Sequence, residues 1–166
     1  MATFTLKGNP FHTTGELPAV GAPAPAFTLV GSDLADVTLA ALKGRKVILN
    51  IFPSLDTGVC ATSLRTFNEK AAGLGNVTVV GVSMDLPFAA GRFCSQEGIA
   101  HVKSGSDFRN GEFGRAYGVR IADGPLAGLF ARSVVVVDEQ GKVVYTQLVK
   151  ETTEEPDYEA ALAHVG

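Results

Sequence analysis

The sequence has no tryptophan, two cysteines and three histidines, and these scarcities remove whole classes of function. Two cysteines in 166 residues do not make the disulfide framework of a small secreted scaffold. They are either free thiols or a pair that cycles. Nor do they form Cys-x-x-Cys, the spacing that brings two thiols to one helix start. His12, His101 and His164 hold no spacing with each other or with the cysteines that suggests a metal site, so no metal ligand set is expected. The glycines match neither a phosphate loop nor a dinucleotide fingerprint, so no cofactor is expected. The lysines and arginines are scattered and net charge is −3, which argues against nucleic acid or an anionic membrane as partner. No apolar run approaches bilayer-spanning length. The first residues lack the charged and apolar regions of a signal peptide, so we expect a cytoplasmic protein, with the periplasm left open.

What remains is soluble and globular in composition: 46% hydrophobic and 19% charged residues, enough chain for one domain with a proper core. Residues 3–7 and 12–17 alternate weakly around Gly8-Asn9-Pro10 and predict an N-terminal β-hairpin. A stiff Gly21-Ala-Pro-Ala-Pro-Ala connector leads into a short strand, Phe27–Val30. Val47–Phe52 and Val77–Val82 are apolar runs of the buried, parallel kind. Between them Cys60, Leu64, Phe67 and Ala71 mark one face of a helix over about 58–72. Asp85 and Pro87 open a second helix that carries Cys94 and stops at Gly98. A weaker helix is expected over about 110–117. Ser133–Asp138 and Lys142–Val149 flank Glu139-Gln140-Gly141 as an antiparallel hairpin, and a last helix runs from Tyr158 to Val165. The order implies an α/β fold with a mixed central sheet and helices on both faces.

Pro53-Ser-Leu-Asp-Thr57-Gly-Val-Cys60 is the most informative stretch. The strand ends at Pro53, a polar turn follows, and Cys60 falls in the first turn of its helix. There, unpaired backbone N–H groups and the helix dipole favour thiolate over thiol, and the thiolate is the nucleophile of cysteine chemistry. Cys60 also lies on the apolar stripe of its helix, where a cysteine often simply packs. Cys94 fits packing or reactivity equally. Thr57 fits an N-cap, Pro53 a strand end, and Arg132 a surface residue at a strand start.

The pattern Pro-x-x-x-Thr-x-x-Cys resembles the active-site motif of the peroxiredoxins, thiol peroxidases on a thioredoxin-like fold. It resembles most closely the bacterial branch of atypical two-cysteine peroxiredoxins. The likeness extends to Phe4–Pro10, Asn50–Cys60, Asp85–Ala89, Arg92-Phe-Cys94, Ile121–Leu126, Ala131–Val136 and Glu155–Ala160. It implies one thioredoxin-like domain over residues 1–166 with a hairpin extension over about 1–20. It also implies Cys60 as the peroxidatic cysteine, Cys94 as the resolving one, and Thr57, Pro53 and Arg132 as the rest of the site. The chemistry suits these types. A permanent planar cation stabilises first a thiolate and then a developing oxyanion. A hydroxyl near the sulfur can exchange a proton with the peroxide. A proline walls the site without offering a competing N–H.

The resemblance further implies reduction of hydrogen peroxide and organic hydroperoxides through a Cys60 sulfenic acid. Cys94 would resolve it as an intramolecular disulfide, and thioredoxin would recycle the disulfide. A homodimer is implied as well, with Phe88, Phe93 and the Ile121–Phe130 segment as pocket wall or dimer contact. A glutathione peroxidase, whose site relies on tryptophan, does not fit a chain without one. The competing reading from another class is a redox-sensing relay that passes oxidation to a partner protein. A disulfide must draw Cα atoms to within about 7 Å, so the helix carrying Cys94 is expected to unwind locally when the thiols join.

Overall fold

A computed structural model describes residues 1–165. Among these residues nine strands and four α-helices follow in order: β1 (Thr3–Leu6), β2 (Asn9–His12), β3 (Thr28–Val30), β4 (Asp36–Thr38), β5 (Lys46–Ile51), α1 (Gly58–Ala71), β6 (Val77–Ser83), α2 (Pro87–Glu97), β7 (Val102–Ser106), α3 (Glu112–Tyr117), β8 (Ser133–Val137), β9 (Val143–Leu148) and α4 (Tyr158–Leu162), with a 3-10 turn at Ala40–Leu42 before β5. Seven strands form one mixed sheet in the order β4-β3-β7-β6-β5-β8-β9, and β1 and β2 pair separately. At the centre β5, β6 and β7 run parallel, and β8 runs antiparallel to β5.

The apolar runs become central strands because both of their faces are covered. Along β5, Ile48 faces one core while Val47, Leu49 and Ile51 face the other. The same alternation divides Val134 and Val136 from Val135 and Val137 on β8. Cys60, Leu64, Phe67 and Ala71 are all buried, as their helical spacing predicts, and the first core also takes residues of α2 and α4. The second core holds Phe113 and Tyr117 of α3, so helices lie on both faces. Gly81 on β6 allows the close fit of α1: a Cβ there would meet Leu64 at 2.9 Å and Phe52 at 3.3 Å.

Several expectations shift. The N-terminal turn is Lys7-Gly8 rather than Gly8-Asn9-Pro10, and the second strand ends at His12. Lys7 and Gly8 both have positive φ, at 51° and 82°, the backbone of a tight two-residue hairpin turn that leaves Asn9 and Pro10 in the strand. The third and fourth helices are shorter than the patterns suggest, at Glu112–Tyr117 and Tyr158–Leu162. Strands β4 and β7 carry too little apolar alternation to be read from sequence. Val-Lys-Ser-Gly-Ser becomes β7 through its pairing with β6. There, sheet geometry overrides local propensity.

Candidate active site

The carboxyl ends of the parallel strands hold the site, as is usual for sheets of this kind. β5 delivers Phe52 and Pro53, both buried, and the chain then turns through Ser54–Asp56 into α1. Asp85 staples that turn: its carboxylate accepts from Ser54 Oγ at 2.8 Å, from the Leu55 N–H at 2.9 Å and from Ser83 Oγ at 2.7 Å. Asp85 is therefore a loop clamp and not the cap of α2, where Leu86 holds the N-cap position without a side-chain bond. Asp107 does act at a helix start, accepting from the Phe113 and Gly114 N–H groups at 3.2 and 2.9 Å. Its burial pushes the carboxyl up against the pull of those bonds.

Cys60 is fully buried at the third position of α1. Arg132, directly before β8, is also buried, with 2% of its surface exposed. Its Nη1 lies 3.1 Å from Cys60 Sγ and its Nε donates to the Thr152 carbonyl at 3.0 Å. Among the described residues the guanidinium has no carboxylate partner; the ion pairs found are His12–Asp123, Arg65–Glu97 and Lys70–Glu159. A buried cation is costly unless a counter-charge lies close. The side chain it contacts by hydrogen bond is Cys60, through the sulfur. The reading of Arg132 as a surface residue is thus excluded.

Thr57 occupies the N-cap position in extended conformation, but its side chain makes no cap bond. Its hydroxyl donates instead to the Ser54 carbonyl at 3.0 Å. With that proton committed, the oxygen is left as an acceptor. Beneath the helix start, Asn50 Nδ2 donates to Ser63 Oγ at 3.2 Å, and Ser63 donates to the Cys60 carbonyl at 2.9 Å. An apolar cavity of about 200 Å³ opens beside these groups, with Pro53, Thr57, Arg132, Leu126, Leu129 and Leu6 in its wall. The Ile121–Phe130 segment thus contributes through Leu126 and Leu129. Phe88, 69% exposed, and Phe93, packed on the core, lie outside this wall.

Cys94 sits half-buried in α2 against the same core as Cys60, and both thiols are free. Burial pushes the Cys94 thiol up, so it stays protonated near neutral pH while the helix is folded. The structure thus brings Cys60, Arg132, Thr57 and Pro53 to one place and leaves Cys94 on a neighbouring helix. Missing from the sequence reading were Thr152, which acts through its main-chain carbonyl, and Leu6 of the hairpin. No residue-type signal points to a carbonyl, and a leucine in a short strand is unremarkable.

A family model described as Redoxin matches residues 19–162. A thiol peroxidase of Mycobacterium tuberculosis is 58% identical over 166 residues, covering 100% of this chain and 99% of that one. A thiol peroxidase of Corynebacterium glutamicum is 57% identical over 163 residues, 98% of each chain. Among solved structures, a peroxiredoxin-like protein from Aquifex aeolicus superposes with a TM-score of 0.94 at 44% identity, covering 99% of this chain and 96% of its own.

Proposed function

The chain belongs to the redoxin family and is a peroxiredoxin-type peroxidase, and from that premise we propose that Cys60 is its peroxidatic thiolate and Cys94 its resolving thiol. The observation that carries this reading is the buried guanidinium of Arg132, 3.1 Å from Cys60 Sγ and without a carboxylate partner among the described residues. The chain then acts as one thioredoxin-like domain over residues 1–166.

In the first step the Cys60 thiolate attacks one oxygen of a hydroperoxide. An S–O bond forms, the O–O bond breaks, and the second oxygen leaves as alkoxide or hydroxide and takes up a proton. Arg132 stabilises the thiolate before the attack and the leaving oxygen during it. Thr57, whose hydroxyl proton is held by Ser54, accepts from the peroxide O–H and orients it. Pro53 closes the wall without an N–H. The apolar wall of Leu6, Leu126 and Leu129 favours organic hydroperoxides alongside hydrogen peroxide.

In the second step Cys94 condenses with the sulfenic acid, giving a disulfide and releasing water. A dithiol of the thioredoxin type then reduces that disulfide and is itself oxidised. The exposed Leu86 and Phe88, at 52% and 69%, offer apolar surface for the homodimer implied by the family, which sedimentation at micromolar concentration checks. A coupled assay with cumene hydroperoxide, thioredoxin, its reductase and NADPH should give many turnovers. Oxidation that stops after a single stoichiometric event would favour the redox relay instead.

Joining the two thiols calls for α2 to unwind. Gly91 lies within that helix, and a Cβ there would meet nothing nearer than the Ser32 Cβ at 3.5 Å. Gly91→Ala should therefore stabilise α2 by up to about 1 kcal/mol. If unwinding precedes the disulfide, the variant should form it up to about fivefold more slowly, with the first oxidation of Cys60 unchanged. Alkaline pH should act in the opposite direction. The folded helix holds Cys94 protonated, so the advantage of folding is complete below the ordinary thiol range and fades as pH rises through the raised value. Hydrogen exchange over residues 87–98, followed with the rate of disulfide formation, checks both. Equal disulfide rates in wild type and Gly91→Ala, despite slower exchange, would mean the thiols meet without unwinding.

A further inference from the structure

Glu151 gathers more hydrogen bonds than any role discussed so far requires. Its carboxylate accepts from the Lys7 N–H at 3.2 Å, and from the Gly8 N–H, Thr5 Oγ1, the Thr153 N–H and Thr153 Oγ1, each at 2.9 Å. These donors come from two distant stretches of chain, the N-terminal hairpin and the loop after β9. Two of them belong to Lys7 and Gly8, whose positive φ values of 51° and 82° aim successive N–H groups at one point. A lysine in that conformation is unfavourable by itself, and the carboxylate offsets the cost. This dense set of donors holds Glu151 down to about 2.

The loop so gripped is also pinned through its backbone. Thr5 N–H donates to the Lys150 carbonyl at 2.6 Å, and Thr152 N–H donates to the Thr5 carbonyl at 2.8 Å. Thr152 Oγ1 donates to that same carbonyl at 3.0 Å. Thr152 in turn offers its own carbonyl to Arg132 Nε. Without that acceptor, the hydrogen bond to sulfur is the one left to the guanidinium among the described residues. On the other side of the hairpin, Phe11 of β2 lies against Gly124, whose φ is +77° and where a Cβ would strike the ring. The hairpin is therefore fastened at both of its faces.

We propose that Glu151 is a positioning residue: it fastens the N-terminal hairpin to the 150–153 loop, so that the Thr152 carbonyl holds the Arg132 guanidinium on the Cys60 sulfur. The hairpin is then part of the catalytic machinery at one remove, and Leu6 at its end completes the cavity wall. The inference rests on the proposed roles of Cys60 and Arg132.

The test is the rate at which reduced protein loses its Cys60 thiol to cumene hydroperoxide, quenched and counted by mass spectrometry. Glu151→Ala should slow this step about tenfold, the scale of a modest misplacement of a reacting group. Glu151→Gln, which keeps one carbonyl oxygen, should fall between, and Thr5→Val, which removes one donor, should slow the step in the same direction. The deciding measurement is the double-mutant cycle with Arg132→Met. If Glu151 acts through Arg132, adding Glu151→Ala to Arg132→Met should change the rate by less than about twofold. Equal slowing in both backgrounds, or lowered melting temperature with an unchanged rate, would overturn the proposal and leave Glu151 a structural residue. Should Arg132→Met itself oxidise at the wild-type rate, the reading of the site fails, which is a separate result. If Glu151→Ala does not fold, Glu151→Gln and Thr5→Val carry the same cycle.

Discussion

Cys60→Ser should consume no peroxide at all, whereas Cys94→Ser should consume one equivalent and stop. The asymmetry follows from where the structure puts the two sulfurs. Cys60 sits at a helix start, 3.1 Å from a buried guanidinium that needs an anion. Cys94 sits toward the C-terminal end of α2, and burial raises its thiol, so it is the poorer nucleophile while the helix is folded. A serine hydroxyl at position 60 has no usable anion near neutral pH, so the loss of activity should be complete. In Cys94→Ser, the sulfenic acid formed at Cys60 lacks its resolving partner and should be trapped by a sulfenic-specific reagent. If Cys94→Ser blocked the first oxidation instead, the two roles would be reversed.

Most of the scaffold was legible in the sequence because its core elements are local and strongly patterned. Val47–Phe52 and Val77–Val82 are apolar but for Asn50 in the first and Thr78 and Gly81 in the second, which suits strands covered on both faces. Cys60, Leu64, Phe67 and Ala71 keep helical spacing, and all four are buried. Gly98 ends α2 in the left-handed conformation that favours glycine, with φ at 65°. The elements that escaped are those made by their partners. Strand β7 has lysine, serine and glycine in its five residues and exists because β6 and β3 supply its hydrogen bonds.

The site was legible in a different sense. Thr57, Cys60 and Pro53 are near one another in sequence, so a turn and a helix start bring them together. Arg132 lies far along the chain and arrives only because β8 pairs antiparallel with β5, setting Ser133 opposite Ile51. From local sequence an arginine before an apolar strand reads as exposed. The sheet register makes it buried. The link from Glu151 through Thr152 to Arg132 was not legible, because two of its steps run through backbone carbonyls. Such contacts leave no trace in residue type.

Arg132→Met should slow the first oxidation of Cys60 by about a hundredfold, the scale seen when one donor to a developing oxyanion is removed. Arg132→Lys should fall between methionine and the wild type. Lysine restores a charge but not the planar fork that reaches Cys60 Sγ through Nη1 and the Thr152 carbonyl through Nε at once. The substitution to methionine need not destabilise the fold. Replacing a buried charge by an apolar chain of similar length removes a desolvation cost, and the bond lost at Thr152 works the other way. A melting temperature near that of the wild type, together with a slow reaction, is therefore the expected pair of results. The pairing matters because it separates chemistry from packing: a variant that merely loosened the site would lose both. If Arg132→Met instead oxidised within twofold of the wild-type rate, the guanidinium would be a structural cation, and the thiolate at Cys60 would owe its reactivity to the helix start alone.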